Sequence, residues 1–364
     1  MSQHTISQHE SPANSHLFGH ATATSPGKVC VIAEIGVNHD GSVTRAADLI
    51  RAAADTGADA VKFQFFDPRH LLSNQALLAD YQKSSATDPF VMLDGLRLSL
   101  DELCQLRDLS HQHKLLFIVT PFSLPQANAL SQLQPDAVKI ASPDAVNPPL
   151  LQAAASAGSP MIVSTGTCEL SELEFVASLL RHHAAGGALL HCVSSYPTPV
   201  EHAALGGIAA LRERFHLPIG YSDHTTSLLT GALAVASGAC VIEKHLTYDP
   251  MADGPDHSAS FSPETFTQYV RHIRKAQAML GCASKTVSPV EQDVRFVSRQ
   301  SLCAARDIPA GTTLTAADLT VKRPGTGIPA RRFDEVVGRT TSKALRANDL
   351  LTDEDLLAVT IRAA

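Results

Sequence analysis

Two histidines mark the best candidate site in this chain. His224 ends the run Pro218-Ile-Gly-Tyr-Ser-Asp-His224, and His245 ends Cys240-Val-Ile-Glu-Lys-His245. Each stands where an apolar, strand-like stretch gives way to polar residues, and a helix-like stretch, Thr226–Ser237, separates them. A parallel βαβ unit would bring both imidazoles to the carboxyl edge of neighbouring strands. Convergent imidazoles suit a divalent metal. The bland alternative is a pair of hydrogen-bonded core histidines, but the matched positions favour the metal. Alternation along the second run puts Glu243 and His245 on one face and Lys244 on the other. Glu243 is then expected near the metal, as a ligand or bonded to one.

Other strand-like runs also carry polar residues that a buried strand would normally avoid. Lys62 and Gln64 lie in Val61-Lys-Phe-Gln-Phe65, and Lys139 lies in Val138-Lys-Ile-Ala-Ser-Pro-Asp144. A lysine there is costly unless it is paired. One reading is a structural ion pair with Glu34 or Glu243. The other is an anion site, in which both lysines with Thr120, Ser142 and Ser164 hold a phosphate and a carboxylate. Asp256 lies in the Gly/Pro-containing loop after His245 and is the best placed residue of that loop to contact a hydroxylated substrate.

The elements that would position these residues alternate. Strand-like runs are expected over Val29–Gly36, Ala60–Phe66, Leu115–Phe122, Ala137–Ser142, Met161–Gly166, Ala188–Val193, Pro218–His224 and Cys240–Leu246. Helix-like stretches such as Val43–Thr56, Leu100–His113, Pro148–Ala157, Ser171–His182 and Ala203–Arg214 lie between them. Eight such units over about 250 residues predict an α/β fold, a (β/α)8 TIM barrel. An open doubly wound sheet would normally show a Gly-x-Gly-x-x-Gly turn after its first strand, and Glu34-Ile-Gly-Val-Asn-His-Asp-Gly41 is not one. The expected organisation is a disordered tail over 1–27, the barrel over 28–281, a linker over 282–299 and a small β-rich domain over 300–364. The tail histidines His4, His9, His16 and His20 have no framework around them.

The net charge of −7 argues against a general nucleic-acid or membrane-surface binder. The seven scattered cysteines form no Cys-x-x-Cys, and Cys30, Cys192 and Cys240 read as small core residues. With no signal-peptide pattern and no long apolar run, a cytoplasmic protein is expected.

Taken in order, Glu34-Ile-Gly-Val-Asn-His39, Lys62-Phe-Gln64, Thr120-Pro-Phe122, Lys139-Ile-Ala-Ser142, Ser164-Thr-Gly166, Gly220-Tyr-Ser-Asp-His224, Glu243-Lys-His245 and Gly254-Pro-Asp-His257 resemble the sialic acid (N-acetylneuraminate) synthase family. Lys322-Arg-Pro-Gly-Thr-Gly327 resembles that family's C-terminal antifreeze-like (SAF) domain, a β-clip fold. The resemblance implies condensation of phosphoenolpyruvate with an N-acetyl hexosamine, N-acetylmannosamine by default, and water, giving N-acetylneuraminate and phosphate. It implies a divalent metal on His224 and His245, Mn2+ with Mg2+ or Co2+ as substitutes. It implies that Lys62, Thr120, Lys139, Ser142, Ser164, Ser194 and Ser222 hold phosphoenolpyruvate, with Glu34 as a base or orienting group. Asp144, Tyr196, Asp256 and Arg323 would face the sugar. It also implies a homodimer in which each SAF domain caps the partner's barrel.

Two positions depart from the family pattern. Pro143 stands where glycine is common, which rigidifies the loop beside the sugar. Ser194 stands where some members have asparagine. Related synthases make legionaminic, pseudaminic or 9-phosphorylated acids. The competing readings are another phosphoenolpyruvate aldol synthase and a non-catalytic carbohydrate-binding protein.

Overall fold

The computed structural model describes residues 17–18, 27–77 and 88–358. Eight parallel strands close into a barrel: β1 (Cys30–Gly36), β2 (Ala60–Phe65), β3 (Leu116–Pro121), β4 (Ala137–Ile140), β5 (Met161–Ser164), β6 (Gly187–Cys192), β7 (Ile219–Asp223) and β8 (Val241–His245). β1 pairs with both β2 and β8, which closes the ring. The (β/α)8 expectation is met.

Helices cover the outside because their apolar residues recur at helical spacing. The helix Val43–Thr56 buries Ala46, Leu49, Ile50 and Ala53, a stripe at i, i+3, i+4 and i+7. Ser42 caps its start by accepting from the Arg45 amide, and Gly57 ends it in the left-handed conformation. The helix Leu100–Gln112 begins in a reciprocal box between Ser99 and Glu102.

Inside the barrel the strands alternate. The residues near the amino ends that face the lumen, among them Ile32, Ala60, Ile118, Ala137 and Ile162, form an apolar cluster. Leu17 and Phe18 join it, both buried. The tail reading over 1–27 is therefore corrected at these two positions, where burial of an apolar pair outweighs the cost of ordering the chain. The rest of that stretch before Gly27, including His4, His9, His16 and His20, lies outside the described residues.

The chain divides into two compact units, Met1–Ser284 and Lys285–Ala364. The stretch read as a linker, 282–299, contains the helix Gln292–Ser298. The second unit is built from an antiparallel pair, β9 (Ser301–Ala304) and β10 (Leu319–Lys322), single bridges and short 3-10 turns around Leu302, Ile308, Leu314, Leu345 and Leu351. Among the described residues no helix is long and apolar enough to cross a membrane.

Candidate active site

Strand register brings the polar residues together. Glu34 lies level with Lys62 on one side and with His245 on the other. Ser222 is level with Glu243 and with Cys192. These residues face a cavity of about 410 Å3 at the carboxyl end of the barrel, lined also by Thr120, Lys139, Ser142, Ser164, Ser194, Tyr196, His224 and Asp256. Lys244 and Asp223 face the other way, as alternation predicts for Lys244. The Lys244 ammonium donates to the carbonyls of Asp223, Thr225 and Ala259 and sits 4.3 Å from the centre of the Phe261 ring. Asp223 accepts from the Tyr269 hydroxyl at 2.6 Å.

Two glycines make room for the cluster. A Cβ on Gly36 would come within 3.0 Å of Glu34 Oε1, and Gly36 adopts φ +56° at the bulge that follows Glu34. A Cβ on Gly166 would meet Ser194 Oγ at 2.3 Å and Ser142 Oγ at 2.9 Å. With no side chain there, the Gly166 amide donates to Ser142 Oγ.

The lysines are paired, but not to neutrality. Lys62 lies 3.4 Å from Glu34 Oε1 and 3.1 Å from Glu243 Oε2, and Lys139 lies 3.9 Å from Glu243 Oε1. Lys139 also donates to Ser164 at 2.6 Å, and Ser222 donates to Glu243 at 2.8 Å. Burial pushes Glu34 up to about 7, against the pull of Lys62. Glu243 goes the other way. Burial would raise it, but Lys139 and Lys62 together hold it well below the usual carboxylate range. For Lys62, Glu243 and Glu34 overcome burial and the shift is upward, whereas burial lowers Lys139 to about 8. At neutral pH two ammonium groups thus face one firmly ionised carboxylate, Glu243, and a second, Glu34, that titrates in that range. Thr120 adds a buried hydroxyl with no hydrogen-bond partner. Such a floor suits a multiply charged anion.

The imidazole rings of His224 and His245 have centroids 5.7 Å apart. Burial first, then the charges of His224 and Lys62, hold His245 well below the ordinary histidine range, so it is neutral. Its Nδ1 is buried without a hydrogen-bond partner, and Asp256 Oδ2 is 3.8 Å away. His224 Nδ1 lies 2.8 Å from the Val193 carbonyl and 3.9 Å from Cys192 Sγ. Burial would lower His224, but the Cys192 thiol and that carbonyl turn the shift upward. With Nδ1 donating to Val193, the other ring nitrogen, Nε2, lies 3.5 Å from Ser222 Oγ. Among the described residues no three His, Cys, Asp or Glu side chains form a metal cage. An orphaned imidazole nitrogen beside a second oriented imidazole fits a cation that keeps open coordination positions.

Two expected site residues are not among those lining the cavity. Asp144 accepts from Asn147 Nδ2 at 3.0 Å within the 3-10 turn Ser142–Val146. Arg323 is an exposed residue of the second unit. Cys192 is buried, as expected of a core residue, but it also lines the cavity, and its thiol is lowered to about 7. There burial, which would raise it, is overcome by His224, Ser142 and Lys139. The signal was available, since Cys192 shares the residue parity of Ala188 and Leu190, which face the lumen. The helix Pro89–Leu96, which lends Met92, Leu93 and Leu96 to the cavity, was not foreseen.

Comparison with known proteins gives a consistent picture. The NeuB family model matches residues 49–285, and the SAF domain model matches residues 299–357. The chain is 38% identical over 336 residues to an N,N'-diacetyllegionaminic acid synthase of Legionella pneumophila, covering 90% of this chain and 94% of that protein. It is 31% identical to an N-acetylneuraminate-9-phosphate synthase of Mus musculus, over 90% of this chain and 92% of that one. Among solved structures, the N-acetylneuraminic acid (sialic acid) synthetase of Leptospira borgpetersenii in complex with citrate superposes with a TM-score of 0.66. It is 34% identical, and the match covers 74% of this chain and 90% of that one.

Proposed function

The chain belongs to the NeuB family and carries a SAF domain, and from that premise we propose that it condenses phosphoenolpyruvate with an open-chain N-acyl hexosamine and water, giving a nonulosonic acid and phosphate. N-acetylmannosamine is the default acceptor. One observation carries the reading: a cationic floor at Lys62 and Lys139 shares a single cavity with the His224–His245 pair. The floor suits the anionic donor, and the histidines suit activation of a carbonyl.

In this mechanism Lys62 and Lys139 hold the phosphate and carboxylate of phosphoenolpyruvate, with the hydroxyls of Thr120, Ser142, Ser164, Ser194 and Ser222 as further donors. A divalent metal, manganese with magnesium or cobalt as substitutes, would be held by His224 and His245 and would polarise the sugar aldehyde as a Lewis acid. The methylene carbon of phosphoenolpyruvate forms the new bond to the aldehyde carbon, whose oxygen becomes a hydroxyl. Water adds to the former enol carbon. Glu34, with a pKa raised to about 7, is suited to take a proton from that water. The tetrahedral adduct then breaks its carbon–oxygen bond to phosphate and leaves a ketone. One proton of the water ends on the new hydroxyl and the other departs with phosphate, so the reaction balances. Tyr196 and Asp256 orient the sugar. Asp144, whose Oδ1 accepts from Asn147 Nδ2, would also face the sugar. Arg323 would act across a homodimer whose SAF domains cap the partner barrels.

The test is phosphate release from phosphoenolpyruvate by metal-loaded protein with a panel of N-acyl hexosamines. Release that depends on the sugar is expected, and no release with any sugar would sink the reading. A His224→Ala variant is expected to lose metal by equilibrium dialysis and to lose activity by at least about 100-fold, as for a lost electrophilic group. Full activity in that variant would remove the metal assignment. Sedimentation of a monomer at micromolar concentration would remove the dimer.

A further inference from the structure

The loop that follows β8 carries Asp256 to the cavity, and the turn that follows β1 holds that loop in place. β1 and β8 are neighbours in the closed ring, so the two segments leave the barrel side by side. The loop, residues 246–261, is stitched together at its ends: the Thr247 amide donates to the Phe261 carbonyl at 2.9 Å, and the Phe261 amide donates to the His245 carbonyl at 3.0 Å. Between these ends Pro255 and Asp256 reach the cavity lining. Asp256 Oδ2 stands 3.8 Å from His245 Nδ1.

The turn supplies Asn38 and Asp40, neither of which lines the cavity. Asn38 Nδ2 donates to the Leu246 carbonyl and, at 2.8 Å, to Ser260 Oγ. Ser260 Oγ in turn donates to the Asp256 carbonyl at 2.6 Å. Asp40 grips the other side. Its Oδ1 accepts from His257 Nε2 at 3.0 Å, and its Oδ2 accepts from the Tyr248 hydroxyl at 2.9 Å and from Arg45 of the helix Val43–Thr56. The Arg45 guanidinium also lies 4.6 Å from the centre of the Tyr248 ring. His257 is 1% exposed, and its Nδ1 lies 2.7 Å from the Thr247 hydroxyl. Gly254 leaves room for this ring, since a Cβ there would come within 2.6 Å of His257 Cδ2. Asp40 thus joins the start of the loop, at Tyr248, to its return at His257, the residue next to Asp256. Met251 is fully in solvent at the loop's far end, so polar ties and not apolar packing fix the loop's shape.

We propose that Asp40 is a positioning residue for the acceptor sugar: through His257 it fixes the backbone beside Asp256, and so the place of the Asp256 carboxylate, without touching substrate. The proposal rests on the condensation reading above. Phosphoenolpyruvate is assigned there to Lys62 and Lys139 on β2 and β4, so its binding does not depend on this tie.

Asp40→Gly removes the carboxylate and keeps the left-handed turn at φ +48°. His257→Ala removes the other half of the tie. Asp40→Asn keeps an oxygen that accepts from His257. Phosphate release is measured with the hexosamine most used in the panel above. In Asp40→Gly and in His257→Ala, KM for the sugar is expected to rise at least about tenfold, within the roughly 100-fold that a misplacement of about 1 Å can cost. KM for phosphoenolpyruvate is expected to stay within about twofold, since uniform donor binding is untouched, and Asp40→Asn is expected to restore most of the sugar KM. Hydrogen exchange of the protein without substrate is expected to be faster over 248–260 in Asp40→Gly and unchanged in the barrel strands. A merely structural role would lower stability without separating the two KM values. An unchanged sugar KM, an equal rise in both KM values or unchanged exchange in the loop overturns the proposal and leaves the condensation reading standing. If the unaltered protein releases no phosphate with any sugar, the condensation reading falls and the acceptor role of Asp40 falls with it.

Discussion

The two ends of the barrel lumen are built by the same strands, and they differ in one step of the alternation. Ile32 is followed two residues later by Glu34, Ala60 by Lys62, Ile118 by Thr120, Ala137 by Lys139 and Ile162 by Ser164. Below that step the lumen is packed and apolar, and Leu17 and Phe18 belong to the same cluster. Above it lie two lysines, two glutamates and a row of hydroxyls. The lower layer takes no part in chemistry, yet it sets the upper one. By excluding water it supplies the desolvation that raises Glu34 and lowers Lys139. A polar cluster on an open surface would have neither shift.

Changes on either side of the step should therefore have different signatures. Glu243→Gln removes the carboxylate that faces both lysines, leaving Lys62 with Glu34 alone and Lys139 without its carboxylate partner. A stability loss of about 3–5 kcal/mol is expected in urea denaturation, the scale for one missing partner of a buried pair. The pH dependence tests the same layer. A carboxyl whose folded pKa lies above its unfolded value binds its proton more tightly when folded. The contribution of Glu34 is then full below about pH 4.5 and is lost as the pH rises through about 7. At about 1.4 kcal/mol per unit, the span is about 3 kcal/mol. Glu34→Gln should flatten that slope when stability is measured from pH 4 to 8, and an unchanged slope would place the titration elsewhere.

In the lower layer, Phe18→Ala should cost about 1.5–3 kcal/mol, the value of burying such a side chain. The kcat/KM of the folded protein should change little. Ile162→Val should cost about 1 kcal/mol by the same assay, again with activity preserved. A large activity loss in either variant would mean that the two layers are not separable.

Much of this arrangement was legible in the chain. All eight strands showed as short apolar runs, and the helix Val43–Thr56 was expected with its observed bounds. The family resemblance held as well. The helix before β8 begins at Thr230 and not Thr226. Side-chain bonds to the amides of Thr225 and Ser227 hold that segment in turns, and residue patterns do not weigh such local competition. The helix Pro89–Leu96 escaped notice because a short, nearly all-apolar stretch containing Gly95 has no helical period to detect. Leu17 and Phe18 escaped because their burial depends on a barrel end far away in sequence.

By itself the sequence determined the period-two alternation that sends Lys62, Lys139, Glu243 and His245 inward and Lys244 outward, because a strand's faces follow from residue parity alone. Which inward residues meet was decided only by the tertiary structure. Closure of β8 onto β1 sets His245 beside Glu34, and the β1–β2 register sets Glu34 beside Lys62. The lysines' pairing and the orphaned His245 nitrogen follow from that closure. These are contacts between residues distant in the chain, and their energies depend on separation and burial, which a linear pattern does not contain.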